Sequence, residues 1–148
     1  MNVLVILRIV LGGLFLISGL GKLLEPYQNF LYVIQSYEFI PDVLEKLSAH
    51  AVPWLEFLAG VFLVLGFWLV YVLPFLLTLV ASFLVIVSQA ILRKLPINEC
   101  GCFGELLSIP LPFVLLVDSI LWIILLWLFI RKEQSSLFGL DHYFSRTK

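Results

Sequence analysis

The stretch from Phe57 to Leu92, FLAGVFLVLGFWLVYVLPFLLTLVASFLVIVSQAIL, contains no charged residue. A helix crossing a bilayer core of about 30 Å needs about 20 apolar residues, so this stretch is too long for one crossing and suits two. Trp68 and Tyr71 are residues that settle at the headgroup level, and Pro74 suits the first turn of a helix. The pattern therefore predicts a hairpin of two spans, at about 52–70 and 73–92, turning between Gly66 and Leu73. Pro53 takes the same position at the start of the first of these.

Working outward, an apolar run from Val3 to Leu24 is interrupted only by Arg8 and Lys22, and a last run from Ile109 to Ile130 carries a single charge at Asp118. The first is too long for the apolar segment of a signal peptide and reads as a retained span. The fourth span, at about 109–130, stops at Arg131-Lys132-Glu133, leaving a polar tail at 131–148. From Glu25 to His50 charges mix with Phe30, Leu31, Ile34, Tyr37 and Phe39, which predicts an amphipathic segment at the membrane surface, broken at Pro41. Backbone groups in lipid must pair internally, and no strand alternation is present. The expected architecture is all-α: an integral-membrane four-helix bundle forming a single domain over 1–148, with an amphipathic segment between helices 1 and 2.

Composition agrees. The chain has 148 residues, 62% hydrophobic and 13% charged, with a mean hydropathy of +1.12. Soluble domains are roughly 45–50% apolar and about 25% charged, so a soluble enzyme core and a disordered tail are both excluded. The net charge of −1 is too balanced for a phosphate-gripping surface and excludes nucleic acid as the expected partner. With four spans, both termini share one side. Arg131, Lys132, Arg146 and Lys148 there, helped by Arg8, face Lys22, Lys46, Arg93 and Lys94 opposite. The positive-inside rule then tips toward cytoplasmic termini in a cell (inner) membrane.

The two cysteines stand in one loop, Asn98-Glu99-Cys100-Gly101-Cys102-Phe103-Gly104. A disulfide needs Cα atoms about 4.4–6.8 Å apart, within the roughly 7 Å that two extended residues span. Gly101 and Gly104 give the loop the freedom to bend. A ring this small would be strained, and strained disulfides exchange readily. That favours a redox pair over two competing readings: small buried hydrophobes, or half of a metal site completed by His50, which would still fall short of the usual four ligands. No metal is expected. Under the expected orientation the loop faces the extracytoplasmic side, where disulfides persist.

Ionisable residues inside spans are site candidates by default. Glu56, about 6 Å into a span beginning at Val52, is expected to pair with Lys22 under a cap from Gln89, beneath the cysteine loop; such a cluster could equally be glue between helices. Asp118 lies about 13–14 Å from the start of the fourth span, to handle protons or to make a buried hydrogen bond. Arg8 is a poor partner for it, because side chains lean toward the N-terminus of their own helix and would carry the two apart. Gly12, Gly13, Ser18, Gly19 and Gly21 read as a close-packing surface.

Arg8-x3-Gly12, Gly19-x2-Lys22-Leu23-x2-Pro26, Pro53-Trp54-x-Glu56-x3-Gly60 and Cys100-Gly101-Cys102-Phe103-Gly104 together resemble the DoxX-like superfamily, and within it the MauE branch of methylamine-utilisation proteins, which are redox-associated membrane proteins. The resemblance covers all four spans. It implies a four-helix protein linked to thiol–disulfide chemistry, in the MauE case to maturation of a disulfide-rich periplasmic subunit. By matching position, Cys100 and Cys102 would be the redox pair, with Arg8, Lys22 and Glu56 as family polar positions. In the fourth span an Arg-Asn or Arg-Asp pair is expected and Val117-Asp118 stands instead, leaving Asp118 without a neighbouring cation.

The expected function is that of a membrane thiol–disulfide redox protein supporting disulfide formation in an extracytoplasmic thioredoxin-like or disulfide-bearing partner. A quinone is a candidate electron acceptor, although this chain lacks the additional shuttle cysteines of four-helix quinone-coupled disulfide enzymes. The alternative is a non-enzymatic membrane subunit or assembly factor. Small-molecule transport is disfavoured by the scarcity of polar groups in the spans and the lack of a broken-helix pair.

Overall fold

The computed structural model describes residues 3–37, 41–94 and 110–131. Cys100, Gly101, Cys102, Gly104 and the tail beyond Arg131 lie outside the described residues. Among the described residues five helices form: α1 Val3–Leu24, α2 Tyr27–Ser36, α3 Asp42–Leu65, α4 Leu69–Leu92 and α5 Leu111–Ile130. All except α2 are long and apolar enough to cross a membrane, and the protein is an all-α four-helix bundle of multi-pass membrane type.

In α1 the buried positions are Leu4, Val5, Arg8, Leu11, Gly12, Phe15, Ser18, Gly19 and Lys22, a stripe with helical spacing. Opposite it, Ile6, Val10, Ile17 and Leu24 are exposed and suited to lipid. The stripe packs antiparallel on α3, the most extensive contact among the described helices. Small residues set the distance between these two helices. A methyl group added at Gly12 would lie 2.8 Å from Val64 N, one at Gly60 2.5 Å from Leu16 N, and one at Gly19 2.6 Å from Phe57 N. Gly13 and Gly21 face open space, so they are not part of the close-packing surface expected of the whole series. Ser18 faces a carboxylate instead, as described below.

The hairpin turn is Gly66–Trp68. Phe67 N donates to Phe62 O at 3.0 Å and Gly66 N to Leu63 O at 3.3 Å, the paired bonds of a Schellman motif, with Gly66 at φ 66° where a side chain would be penalised. Trp68 also has positive φ, 53°, and its carbonyl accepts from Tyr71 N and Val72 N to start α4. Its ring stacks on Phe67 with centroids 5.2 Å apart.

Helix boundaries differ from expectation where prolines were read as first-turn residues. Pro53 and Pro74 both lie inside their helices, and α3 begins at Asp42, well before Val52. Proline removes a single intrahelical bond, and helices packed in a membrane tolerate that loss. The break at Pro41 is present, with Pro41 as the residue preceding α3. The amphipathic segment divides there: α2 buries Phe30 and leaves Tyr32 exposed, and Asp42 and Glu45 occupy the first turn of α3, where acidic groups complement the helix dipole.

The second strong pairing is α4 with α5. Trp122 Nε1 donates to Leu77 O at 3.2 Å, a side chain on one helix bonding the backbone of the other. Leu63, Leu76, Leu125 and Leu128, all fully buried, join the two pairs in one core. Contact between α1 and α5 is slight.

Candidate functional site

Lys22 stands in the last turn of α1, with Ser18 one turn before it on the same face. Antiparallel packing at glycine-limited distance brings Glu56 of α3 against both. Lys22 Nζ donates to Glu56 Oε2 at 2.5 Å and to Ser18 Oγ at 2.9 Å. Ser18 Oγ donates to the same Oε2 at 3.3 Å. Lys22 and Glu56 are only 4% and 3% exposed. The ammonium also lies 5.5 Å from the centre of the Phe30 ring, so α2 closes the site from the membrane surface through a cation–π contact.

Gln89 does not cap this pair. With its amide oxygen turned to Arg93 it accepts from Nε and Nη1 at 3.2 Å each. The Arg93 guanidinium, one turn on at the end of α4, is its charge-assisted partner. The cover over Lys22 is the Phe30 ring, which sequence reasoning treated only as part of an amphipathic stretch. Ser18, read as a small packing residue, is a polar member of the site; its i, i+4 spacing from Lys22 was the available signal.

Asp118 is half-buried on α5 and lines the same cavity as Ser18, Lys22 and Glu56. The cavity measures about 50 Å³, and its apolar walls are Leu14, Phe15, Val80, Phe83 and Leu121. Asp118 Oδ2 is buried without a hydrogen-bond partner among the described residues. The cation lacking beside it in sequence is thus supplied across the cavity by α1. Arg8 is 2% exposed and lies about 21 Å from Lys22 by helical rise, so it takes no part in this site. His50 packs against Tyr27 with ring centroids 4.5 Å apart and the rings tilted by 37°, and its Nδ1 lies 3.1 Å from Lys46 O. Glu45, 5% exposed, is a further buried carboxylate that sequence reasoning counted as interfacial.

Four apolar helices around a buried lysine–carboxylate pair and a small cavity that it shares with Asp118 define a multi-pass membrane protein with an intramembrane ionisable site. Such groups are costly in lipid and are retained for binding, proton movement or helix association. The chain belongs to the family described as methylamine utilisation protein MauE, whose family model matches residues 1–131. The matched region contains every described helix and both cysteines. Comparison with curated proteins and with solved structures gives no match.

Proposed function

We propose that the protein is a thiol–disulfide redox protein of the cell (inner) membrane, in which Cys100 and Cys102 exchange a disulfide with an extracytoplasmic thioredoxin-like or disulfide-bearing partner. The observation that carries this reading is the Cys100-Gly101-Cys102-Phe103-Gly104 sequence. It falls in the connection between α4 and α5 and within the region matched by the MauE family. The α4 and α5 ends that it joins belong to the same half of the bundle as Lys22 and Glu56. The broader DoxX-like kinship and cytoplasmic termini belong to the same proposal.

The chemistry balances as an exchange. A thiolate of the reduced pair attacks a partner disulfide, forming a mixed disulfide and releasing one partner thiolate. The second cysteine then displaces the other partner sulfur, leaving a Cys100–Cys102 disulfide and a partner dithiol that has gained two electrons. The reverse sequence oxidises the partner, and the resulting dithiol of this protein then passes two electrons to an acceptor, for which a quinone is the candidate class.

A second reading rests on the Lys22–Glu56 contact itself. A buried pair clamping α1 to α3 is sufficient as helix glue, which favours a non-enzymatic membrane subunit or assembly factor with the cysteine loop as a docking turn. Single Cys100→Ala and Cys102→Ala variants separate the two readings. Thiol exchange predicts a mixed disulfide with a partner, trapped by one of them and released by reductant. Full function of the double Cys→Ala protein in its host leaves only the assembly role.

A further inference from the structure

We propose that the cavity lined by Ser18, Lys22, Glu56 and Asp118 is a hydrated proton-binding site, in which Asp118 carries one proton that it shares through bound water with the Lys22–Glu56 pair. This goes beyond the thiol reading and stands whether or not the cysteines exchange.

Size selects the ligand. A water occupies about 10–15 Å³ on the scale on which this cavity measures about 50 Å³, so a few waters fit. Pockets for organic ligands begin near roughly 300 Å³. Apolar cavities remain dry, but a water with two to four polar partners is held, and here a hydroxyl, an ammonium and two carboxyl groups line one space.

Charge then fixes the proton count. Lys22 contributes one positive charge, while Glu56 and Asp118 together would contribute two negative ones. The surplus negative charge would sit among Leu14, Phe15, Val80, Phe83 and Leu121, where an unbalanced ion is costly. One bound proton makes the site neutral.

Hydrogen bonding decides which carboxyl holds that proton. Glu56 Oε2 already accepts from both Lys22 Nζ and Ser18 Oγ. Asp118 Oδ2 has no such donor among the described residues. The groups lining the cavity opposite Asp118 are Ser18 and Lys22 from α1 and Glu56 from α3; α4 presents only Val80 and Phe83. Glu45 and Arg8 do not line it.

Infrared spectroscopy of the full chain in lipid vesicles at neutral pH, in H2O and D2O, tests the assignment. The expected spectrum contains a protonated-carboxyl C=O band that shifts down in D2O, disappears in Asp118→Asn and is displaced but retained in Ser18→Ala. The proposal is overturned by absence of the band in the unmodified protein, by a band that does not shift in D2O, or by one that survives Asp118→Asn. Should Asp118→Asn fail to reach the membrane, Asp118→Glu decides: a band whose frequency is unchanged by that substitution belongs to another carboxyl and overturns the assignment.

Discussion

Lys22 Nζ lies 2.5 Å from Glu56 Oε2, and both side chains are buried. An ion pair this enclosed is worth little more than well-packed apolar residues of similar volume, yet removing one partner strands the other charge. Lys22→Met or Glu56→Met alone is therefore expected to destabilise the bundle by about 3–5 kcal/mol. The Lys22→Met/Glu56→Met double variant should recover most of that loss. Unfolding in mixed detergent micelles measures the cycle, and additive losses in the double variant would show that the pair is not energetically coupled.

Gly60→Ala and Gly19→Ala place a methyl group 2.5 Å from Leu16 N and 2.6 Å from Phe57 N. Backbone atoms cannot give way as a flexible side chain can, so α1 and α3 must separate, at an expected cost of about 1–3 kcal/mol each. Gly13→Ala and Gly21→Ala meet nothing within 4 Å and should be neutral or slightly stabilising, since alanine is the better helix former. Equal effects across the four variants in the same unfolding assay would contradict the packing described.

Trp122→Phe removes the bond from Nε1 to Leu77 O. Interhelical hydrogen bonds in membranes are worth roughly 0.6–1.7 kcal/mol, and a loss in that range is expected, with the α1–α3 pairing unaffected. A crosslink between cysteines introduced on α1 and α3 should form at the unmodified rate in this variant; a slowed crosslink would mean that the two helix pairs are not separable.

Much of the fold was legible because a few residue types carry strong constraints in lipid. The uncharged run from Phe57 to Leu92 required a hairpin, and glycine with interfacial aromatics marked its turn. Glu56 and Lys22 were legible as partners because both are charged residues at similar depth near one face. What escaped depended on tertiary packing. Asp118 lacks a cation in its own helix, and only the placement of α5 beside α1 brings Lys22 to it. Gln89 was read by depth alone, although Arg93 one turn on was a better partner and visible in sequence. Pro53 and Pro74 were read as helix starts because proline favours first turns, but local propensity yields where neighbouring helices supply the packing. Of the close-packing series, Gly12 and Gly19 stand at i+4 from Arg8 and i−3 from Lys22, on the face that those ionisable residues turn inward, while Gly13 and Gly21 are out of that phase; the signal was in the run and was not used.

The proposed orientation rests on a small excess of Lys and Arg at the terminal side. A reporter fused after Lys148 is expected to report the cytoplasm, and a membrane-impermeant thiol reagent applied from outside should reach Cys100 and Cys102 after reduction. Adding Lys residues beside Arg93 and Lys94 should shift a fraction of molecules to the opposite topology, since so narrow a charge bias is easily reversed. Labelling of the cysteines only in opened vesicles would contradict the orientation.

Thiol labelling in isolated membranes tests the redox account most directly. With an alkylating reagent that adds mass to each free thiol, Cys100 and Cys102 are predicted to be blocked before reduction and both labelled after it, and the blocked state should return on exposure to a small-molecule disulfide. Equal labelling of both cysteines before and after reduction, unchanged by prior exposure to that disulfide, would contradict the account.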